Sequence, residues 1–419
     1  MMTQNDFNAE LLDFLEDSPT PFHATQELCD RLATAGFIQL DEADSWKLEK
    51  GKRYYLTRND SSLIAFVYGT DDINETGVSM VGAHTDSPCL KLKPNAIIHK
   101  NGYIQLGVEV YGGVLLNPWF DRDLSLAGRV SGLDEKGELV HPLVDFKRPL
   151  AVIPSLAIHL DREANNMHAV NAQTDIPPIV MQSEEAINFE EILCKQSGLK
   201  EILDFELVFY DTQKPAFIGL KEEFLASARL DNLLSCYVGL KSIMEASTQK
   251  SSLLICSDHE EVGSASTSGA AGPFLQMVLQ RINANHEDYS RMVNASMMIS
   301  ADNAHAVHPN FSDKHDANHG PLLNHGPVIK VNANQRYASN SQTISRFKLL
   351  CKQSDVPYQS FVTRTDMACG STIGPITATK IGVKTIDVGL PTFAMHSIRE
   401  LAGKSDAYML YGVLKNYFS

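Results

Sequence analysis

Asp258-His259-Glu260-Glu261 follows directly on the apolar run Leu253 to Cys256, so two adjacent carboxylates stand at the end of a strand that reads as buried. Neighbouring like charges repel and resist leaving water, so such a pair needs a cation or a shared proton. A metal-binding carboxylate beside one that handles protons meets that need, which is the chemistry of a metallohydrolase. Other donors stand in similar places. In Gly82-Ala83-His84-Thr85-Asp86, alternate residues of a strand share a face, so Asp86 can take the second N–H of a metal-bound His84. Asp302 follows the apolar Met297 to Ser300, with His305 and His308 shortly after it. Asp231 stands at the start of a helical pattern, Leu230, Leu233, Leu234 and Tyr237. His396 follows a strand-like run and a Gly-Pro loop, Gly389-Leu390-Pro391.

Each of these has a plainer explanation on its own: a turn acid, an acid opposing a helix dipole, a structural histidine. Their common placement is what matters. His84, Asp258 to Glu261, Asp302 and His396 all follow apolar strands of one expected sheet, and ligand sites in open α/β sheets form outside those ends. Two histidines with three or four acids suit two hard or borderline cations. Other hydrolase and nucleotide signatures fail. His259-Glu260 begins like H-E-x-x-H, but Gly263 occupies the second histidine position. Gly403-Lys404-Ser405 ends like a P-loop, but Ile398 replaces its first glycine, and neither G-x-S-x-G nor G-x-G-x-x-G after a strand occurs.

The elements that must position these residues alternate. Helical spacing is expected from Phe7 to Leu15 and from Phe22 to Ala35, where Gly36 stops it, and strands at Leu63 to Tyr68 and Val78 to Ala83. After about Pro94 the pattern becomes antiparallel and β-rich: Tyr103 to Tyr111 alternates, with Ile104, Leu106, Val108 and Val110 on one face. A helix from Glu184 to Gln196 interrupts it, and Phe205 to Tyr210 reads as a strand. From about Ser227, strands at Leu253–Cys256, Met297–Ser300, Val328–Val331 and Lys384–Val388 alternate with amphipathic helices, an α/β signature. The expectation is one α/β domain, residues 1–94 and 226–419, with a central mostly parallel sheet flanked by helices, interrupted by a β-rich insertion at 95–225.

The 419 residues suffice for two domains, and the net charge of −15 argues against nucleic acid and anionic membrane as partners. No apolar run approaches the length of a spanning helix, and the first residues carry acids rather than the basic and apolar stretches of a signal peptide, so a cytoplasmic location is expected. Seven cysteines without C-x-x-C spacing fit reduced thiols rather than a disulfide framework or a thiolate zinc site.

Ordered segments along nearly the whole chain resemble the aspartyl aminopeptidase family of co-catalytic zinc metallopeptidases. They include S-P-T-P-F-H at Ser18, G-A-H-T-D-S-P at Gly82, P-S-L-A-I-H-L at Pro154, S-A-R-L-D-N at Ser227, D-H-E-E-V-G-S at Asp258, A-D-N-A-H-A-V-H-P-N at Ala301, G-P-V-I-K-V-N at Gly326, Q-R-Y-A-S-N at Gln335, C-G-S-T-I-G-P at Cys369 and M-H-S-I-R-E at Met395. The resemblance implies a zinc-exopeptidase fold with an inserted lid or dimerisation domain, and removal of N-terminal Asp or Glu from peptides. It implies two zinc ions per subunit, replaceable by manganese or cobalt: His84 and Asp302 on one, Glu261 and His396 on the other, Asp231 bridging. Asp86 would orient His84, Glu260 would be the general base, and Lys330, with His305, would meet the substrate's first residue. His159 would reach into a neighbouring subunit, in dimers that build a dodecamer. Asp258 and His259 are expected to shape the turn that aims the two glutamates; His308 has no assigned role. One segment departs from the family pattern, Asp366-Met367-Ala368-Cys369, which lacks the proline that some members carry before the cysteine. Two rival readings are an aminopeptidase or amide hydrolase for neutral residues, and an inactive metal-binding assembly protein.

Overall fold

The computed structural model describes residues 2–166 and 169–419. Contacts divide the chain into two units: one made of the residues up to Asp86, Pro215–Met395 and Glu400–Ser419, the other of Ser87–Lys214 with His396–Arg399. The junctions expected at 94/95 and 225/226 both fall within strands, Cys89–Lys100 and Phe224–Ser227; the observed division precedes each, where the chain passes from one sheet to another.

The first unit is built on a nine-stranded sheet in the order Ile38–Gln39, Lys52–Arg58, Ser62–Tyr68, Ser251–Ser257, Val78–His84, Met297–Ala301, Lys384–Gly389, Val328–Val331, Gln359–Val362. Its middle four strands run parallel. Antiparallel pairing enters on both sides, at Ser62–Tyr68 and at Val328–Val331, so the sheet is mixed rather than purely parallel. Alternation of side chains splits the core in two. Val81, Ala83, Leu254, Cys256 and Ile299 pack with Phe7, Leu28, Tyr237 and Leu414 from the helices Gln4–Glu16, Pro21–Thr34, Leu230–Met244 and Asp406–Tyr417. Met80, Leu253, Ile255 and Met298 face the other way, onto Phe274, Met292 and Ile373 from Phe274–Ile282, His286–Ala295 and Ile373–Ile381. The second helix ends as expected: Thr20 caps it, Pro21 opens it, and Gly36 follows at φ +81°. A small five-stranded sheet, unforeseen in the sequence, links Ala216–Ile218, Phe224–Ser227, Glu400–Gly403, Pro391–Phe393 and Ala304–His305.

The second unit is an antiparallel sheet containing Cys89–Lys100, Tyr103–Tyr111, Leu124–Leu133 and Glu201–Asp211, over a core of Leu90, Leu106, Leu126, Phe209 and Trp119. Of the four residues expected on one face, Ile104, Leu106 and Val108 are buried, but Val110 is not. The inserted helix begins at Phe189 rather than Glu184, because the Asn188 side chain caps it by accepting the Glu191 N–H.

One close approach ties sheet to site. A Cβ on Gly389 would stand 2.2 Å from the Asp302 carbonyl oxygen, on a backbone that also donates its Asp302 N–H to Val388. Gly389→Ala must displace the Asp302 segment, and we expect a loss of about 1–3 kcal/mol in stability by denaturant titration.

Candidate metal centre and active site

The parallel register carries the ligands to one level. Ser257 pairs with His84 and Ser300 with Gly82, so Asp302, two residues further, comes level with His84, and Asp258 to Glu261 lie just beyond the sheet edge. Asp231 arrives from the helix side. It was expected in a regular first helical turn, but Asp231 (φ −84°, ψ 107°) and Asn232 (φ −123°, ψ 28°) are non-helical, and the peptide joining them is cis. The distorted turn is held at each part. Asp231 N–H donates to Glu400 Oε2 at 2.9 Å, the Asn232 amide donates to the Ala301 carbonyl at 2.8 Å, and Arg229 donates to the Ser18 carbonyl at 3.0 Å. Buried Glu400 is a supporting residue that sequence reasoning missed; the one signal was an acid opening the otherwise apolar Glu400–Gly403 strand.

His84 Nδ1 lies 3.0 Å from the Asp86 carbonyl oxygen, which can only accept, so Nδ1 donates there and Nε2 faces the acids. Nε2 is 3.5 Å from Asp231 Oδ1 and 3.5 Å from Asp302 Oδ1. These spacings are long for hydrogen bonds. They match ligand atoms around one tetrahedral zinc, which bonds of 2.0–2.2 Å set about 3.3–3.6 Å apart. His84, Glu260 and Glu261 also offer donor atoms within 4.8 Å of one another. The set of imidazole and carboxylate donors therefore fits zinc.

Asp86 does more than face His84 with its carboxylate 3.4 Å from Nδ1. Its two oxygens accept the backbone N–H groups of Glu260 and Glu261, each at 3.1 Å, which fixes the glutamate turn Glu260–Val262. Asp258 and His259 brace the same turn: Asp258 N–H donates to Ser62 Oγ at 2.9 Å, the His259 ring meets Ser266 Oγ at 2.8 Å, and His259 itself takes φ +62°.

The electrostatics call for positive charge. Burial pushes the His84 pKa down, but the nearby carboxylates of Asp231, Asp302 and Asp86 outweigh it and hold the ring well above its ordinary value. Burial would lift Asp302, but the Lys330 ammonium and His84 hold it well below the usual carboxylate range. Glu260 is pushed up to about 7, first by burial and then by Asp302, Asp231 and Asp86, with His84 opposing.

Lys330 is buried, with Nζ 3.0 Å from Asp302 Oδ2 and 5.4 Å from the Tyr337 ring centroid. Tyr337 in turn lines a cavity of about 320 Å³ that also holds His305, His308, Lys314, His315 and Arg364, and among the described residues no Asp or Glu lines it. The His305 ring opens on this cavity, yet burial and then Lys330 lower its pKa, which keeps it neutral. Two predicted residues belong to the second unit. His396 Nδ1 donates to the Gly113 carbonyl at 3.0 Å, which fixes the tautomer in which Nε2 carries the ring's lone pair. His159 is exposed, on a segment that Ser155 anchors to Asp121.

Residues 14–418 match the model of the aminopeptidase I zinc metalloprotease family, M18. The chain belongs to the M18 family of zinc aminopeptidases. It is 57% identical over 417 residues to a probable M18 family aminopeptidase 2 of Ectopseudomonas mendocina (strain ymp), covering 98% of this chain and 97% of that one. A probable M18 family aminopeptidase 2 of Pseudomonas aeruginosa (strain UCBPP-PA14) is likewise 57% identical, over 422 residues, covering 99% of this chain and 98% of that one. Among solved structures, the chain of the Ape4 and Nbr1 complex matches with TM-score 0.96 at 39% identity, covering 99% of this chain and 86% of that one. The S. cerevisiae mApe1 dodecamer matches with TM-score 0.87 at 27% identity, covering 99% and 96%. This M18 aminopeptidase is thus a hydrolase of a zinc metalloprotease family.

The Asp86 carboxylate pins the glutamate turn, whereas the His84 N–H goes to the Asp86 main-chain carbonyl rather than to that carboxylate. Asp86→Ala is expected to weaken zinc binding by roughly 10–100-fold in a chelator competition titration. Unchanged zinc affinity would show that the turn holds its shape without it.

Proposed function

We propose that this M18 aminopeptidase removes an N-terminal Asp or Glu from peptides, using two zinc ions and Glu260 as general base. The observation that carries the reading is a buried histidine–carboxylate cluster beside a cavity walled by two cations, Arg364 and Lys314, with three histidines and, among the described residues, no acid, in a chain of net charge −15. By the family resemblance His84 and Asp302 would hold one ion and Glu261 and His396 the other, with Asp231 available to both; manganese or cobalt could replace zinc on such donors. The bound cations supply Lewis acidity, which activates a water and polarises the scissile carbonyl.

The remaining work falls to side chains. Glu260, lifted to about 7 by burial, is drawn back down by nearby cations, so at neutral pH its carboxylate accepts the water's proton and then passes it to the leaving amine. Asp86 keeps His84 and the glutamate turn in place. Lys330 and neutral His305 stand at the substrate's first residue, with Lys330 shared between Asp302 and the incoming carboxylate. We place His159 in a neighbouring subunit's site, within a homo-oligomer of dimers assembled into a dodecamer, with the insertion as lid and dimerisation unit. Two observations support that placement: Leu156, Ile158 and Leu160 around it are 60%, 49% and 74% exposed and call for cover, and the similar mApe1 is a dodecamer. Among the described residues no helix is long and apolar enough to cross a membrane.

The direct test is chelation, zinc add-back and hydrolysis of Asp-, Glu- and Leu-anilides. Chelation should abolish hydrolysis, zinc should restore it, and kcat/KM should favour Asp and Glu; a preference for Leu would replace this reading with a neutral-residue aminopeptidase. Glu260→Gln should lower kcat by about 10²–10⁴-fold with zinc content and fold retained. Most of the activity surviving would place the base elsewhere.

A further inference from the structure

Under the proposed function, on which the present inference rests, the substrate's acidic side chain enters the basic cavity. Lys330 is a poor sole anchor there. Its side chain is 3% exposed, its ammonium is engaged with Asp302, and it does not itself line the cavity, whereas Tyr337 beside it does. The cations that do line the cavity are Arg364 and Lys314.

Arg364 already binds a carboxylate. Its Nε donates to Asp366 Oδ1 at 3.0 Å and its Nη2 to Asp366 Oδ2 at 2.6 Å, while Nη1 donates to the Asp313 carbonyl. Two parallel N–H···O bonds on one guanidinium are the geometry by which arginine selects carboxylates. The present occupant is exchangeable: Asp366 is two residues along the same loop, its side chain is 64% exposed, and it does not line the cavity. An incoming carboxylate can take over both bonds to Arg364 while water solvates the released Asp366. Asp366 can therefore leave Arg364 without stranding a buried charge. Lys314 adds a second cation: its side chain is 62% exposed and its ammonium lies 3.9 Å from its nearest acid, Asp313.

We propose that Arg364 is a specificity residue that anchors the substrate's first side-chain carboxylate, and that Asp366 is an internal stand-in which that carboxylate displaces. The two partners of one ion pair then act in opposite directions. Arg364 favours acidic substrates, and Asp366 competes with them.

The test measures kcat/KM for Asp- and Leu-anilides with the zinc-loaded wild type, Arg364→Gln, Asp366→Asn and the double variant, together with succinate binding by calorimetry. Arg364→Gln should lower the Asp-to-Leu ratio by about tenfold or more, the effect of losing hydrogen bonds to a charged group. Asp366→Asn should raise that ratio and tighten succinate binding, through KM rather than kcat, and the double variant should behave as Arg364→Gln. If Asp366→Asn lowers the ratio as Arg364→Gln does, or if neither variant moves it, the pair is only a structural clasp and the proposal is wrong. A wild type that prefers Leu, with succinate binding still moving in opposite directions, would overturn the acidic-substrate reading but keep the anchor. A preference for Asp with a flat succinate pattern would do the reverse.

Discussion

The structure depends on one electrostatic constraint: Asp86, Asp231, Glu260, Glu261 and Asp302 gather at the end of a sheet, largely shut off from water, in a protein that is already strongly acidic. Carboxylates so placed repel one another and cannot be screened by solvent. Leaving a buried charge without its partner costs about 3–5 kcal/mol, so the protein must bring compensating charge to fixed points. His84 and Lys330 are two such points, and zinc is the charge the family adds. Because zinc binds the folded arrangement of donors, its binding free energy adds to the stability of the fold.

Meeting the constraint sets much of the local architecture. Rigid strand ends carry His84 and Asp302, so their separation is fixed by sheet register rather than by loops. The less regular pieces are secured by hydrogen bonds from neighbours: Asp86 holds the glutamate turn, and Glu400 and the Ala301 carbonyl hold the turn at Asp231. The same constraint bears on specificity. The overall charge repels an acidic substrate at long range, but ions screen such fields beyond about 8–10 Å. Within that distance the cavity wall carries Arg364 and Lys314 and, among the described residues, no acid.

Much of this was legible in the sequence, and the rest was hidden for identifiable reasons. Apolar runs ending in acids located the sheet and its ligand edge, since alternate burial and strand ends leave a periodic trace in Val78 to His84 and Ser251 to Ser257. Conformations that long-range contacts impose leave no such trace. Helical spacing made Asp231 look like a first-turn acid, because nothing local announces a turn held open by Glu400, a residue far along the chain. Lys330 read as a free substrate contact, since a sequence does not show that Asp302 lies 3.0 Å away. The return of His396–Arg399 to the second unit, and the small sheet carrying Ala304–His305, are long-range pairings without a compositional signal. The pairing of Arg364 with Asp366 was in plain view at a spacing of two, but an exposed charge pair draws notice only when a cavity is found beside it.

The most direct measurement is anomalous diffraction at the zinc edge from crystals of the zinc-loaded protein. The account predicts two peaks per subunit about 3.5–4 Å apart, with the Asp231 carboxylate between them, His84 and Asp302 on one and Glu261 on the other. A single peak, or zinc bound away from these residues, would contradict it.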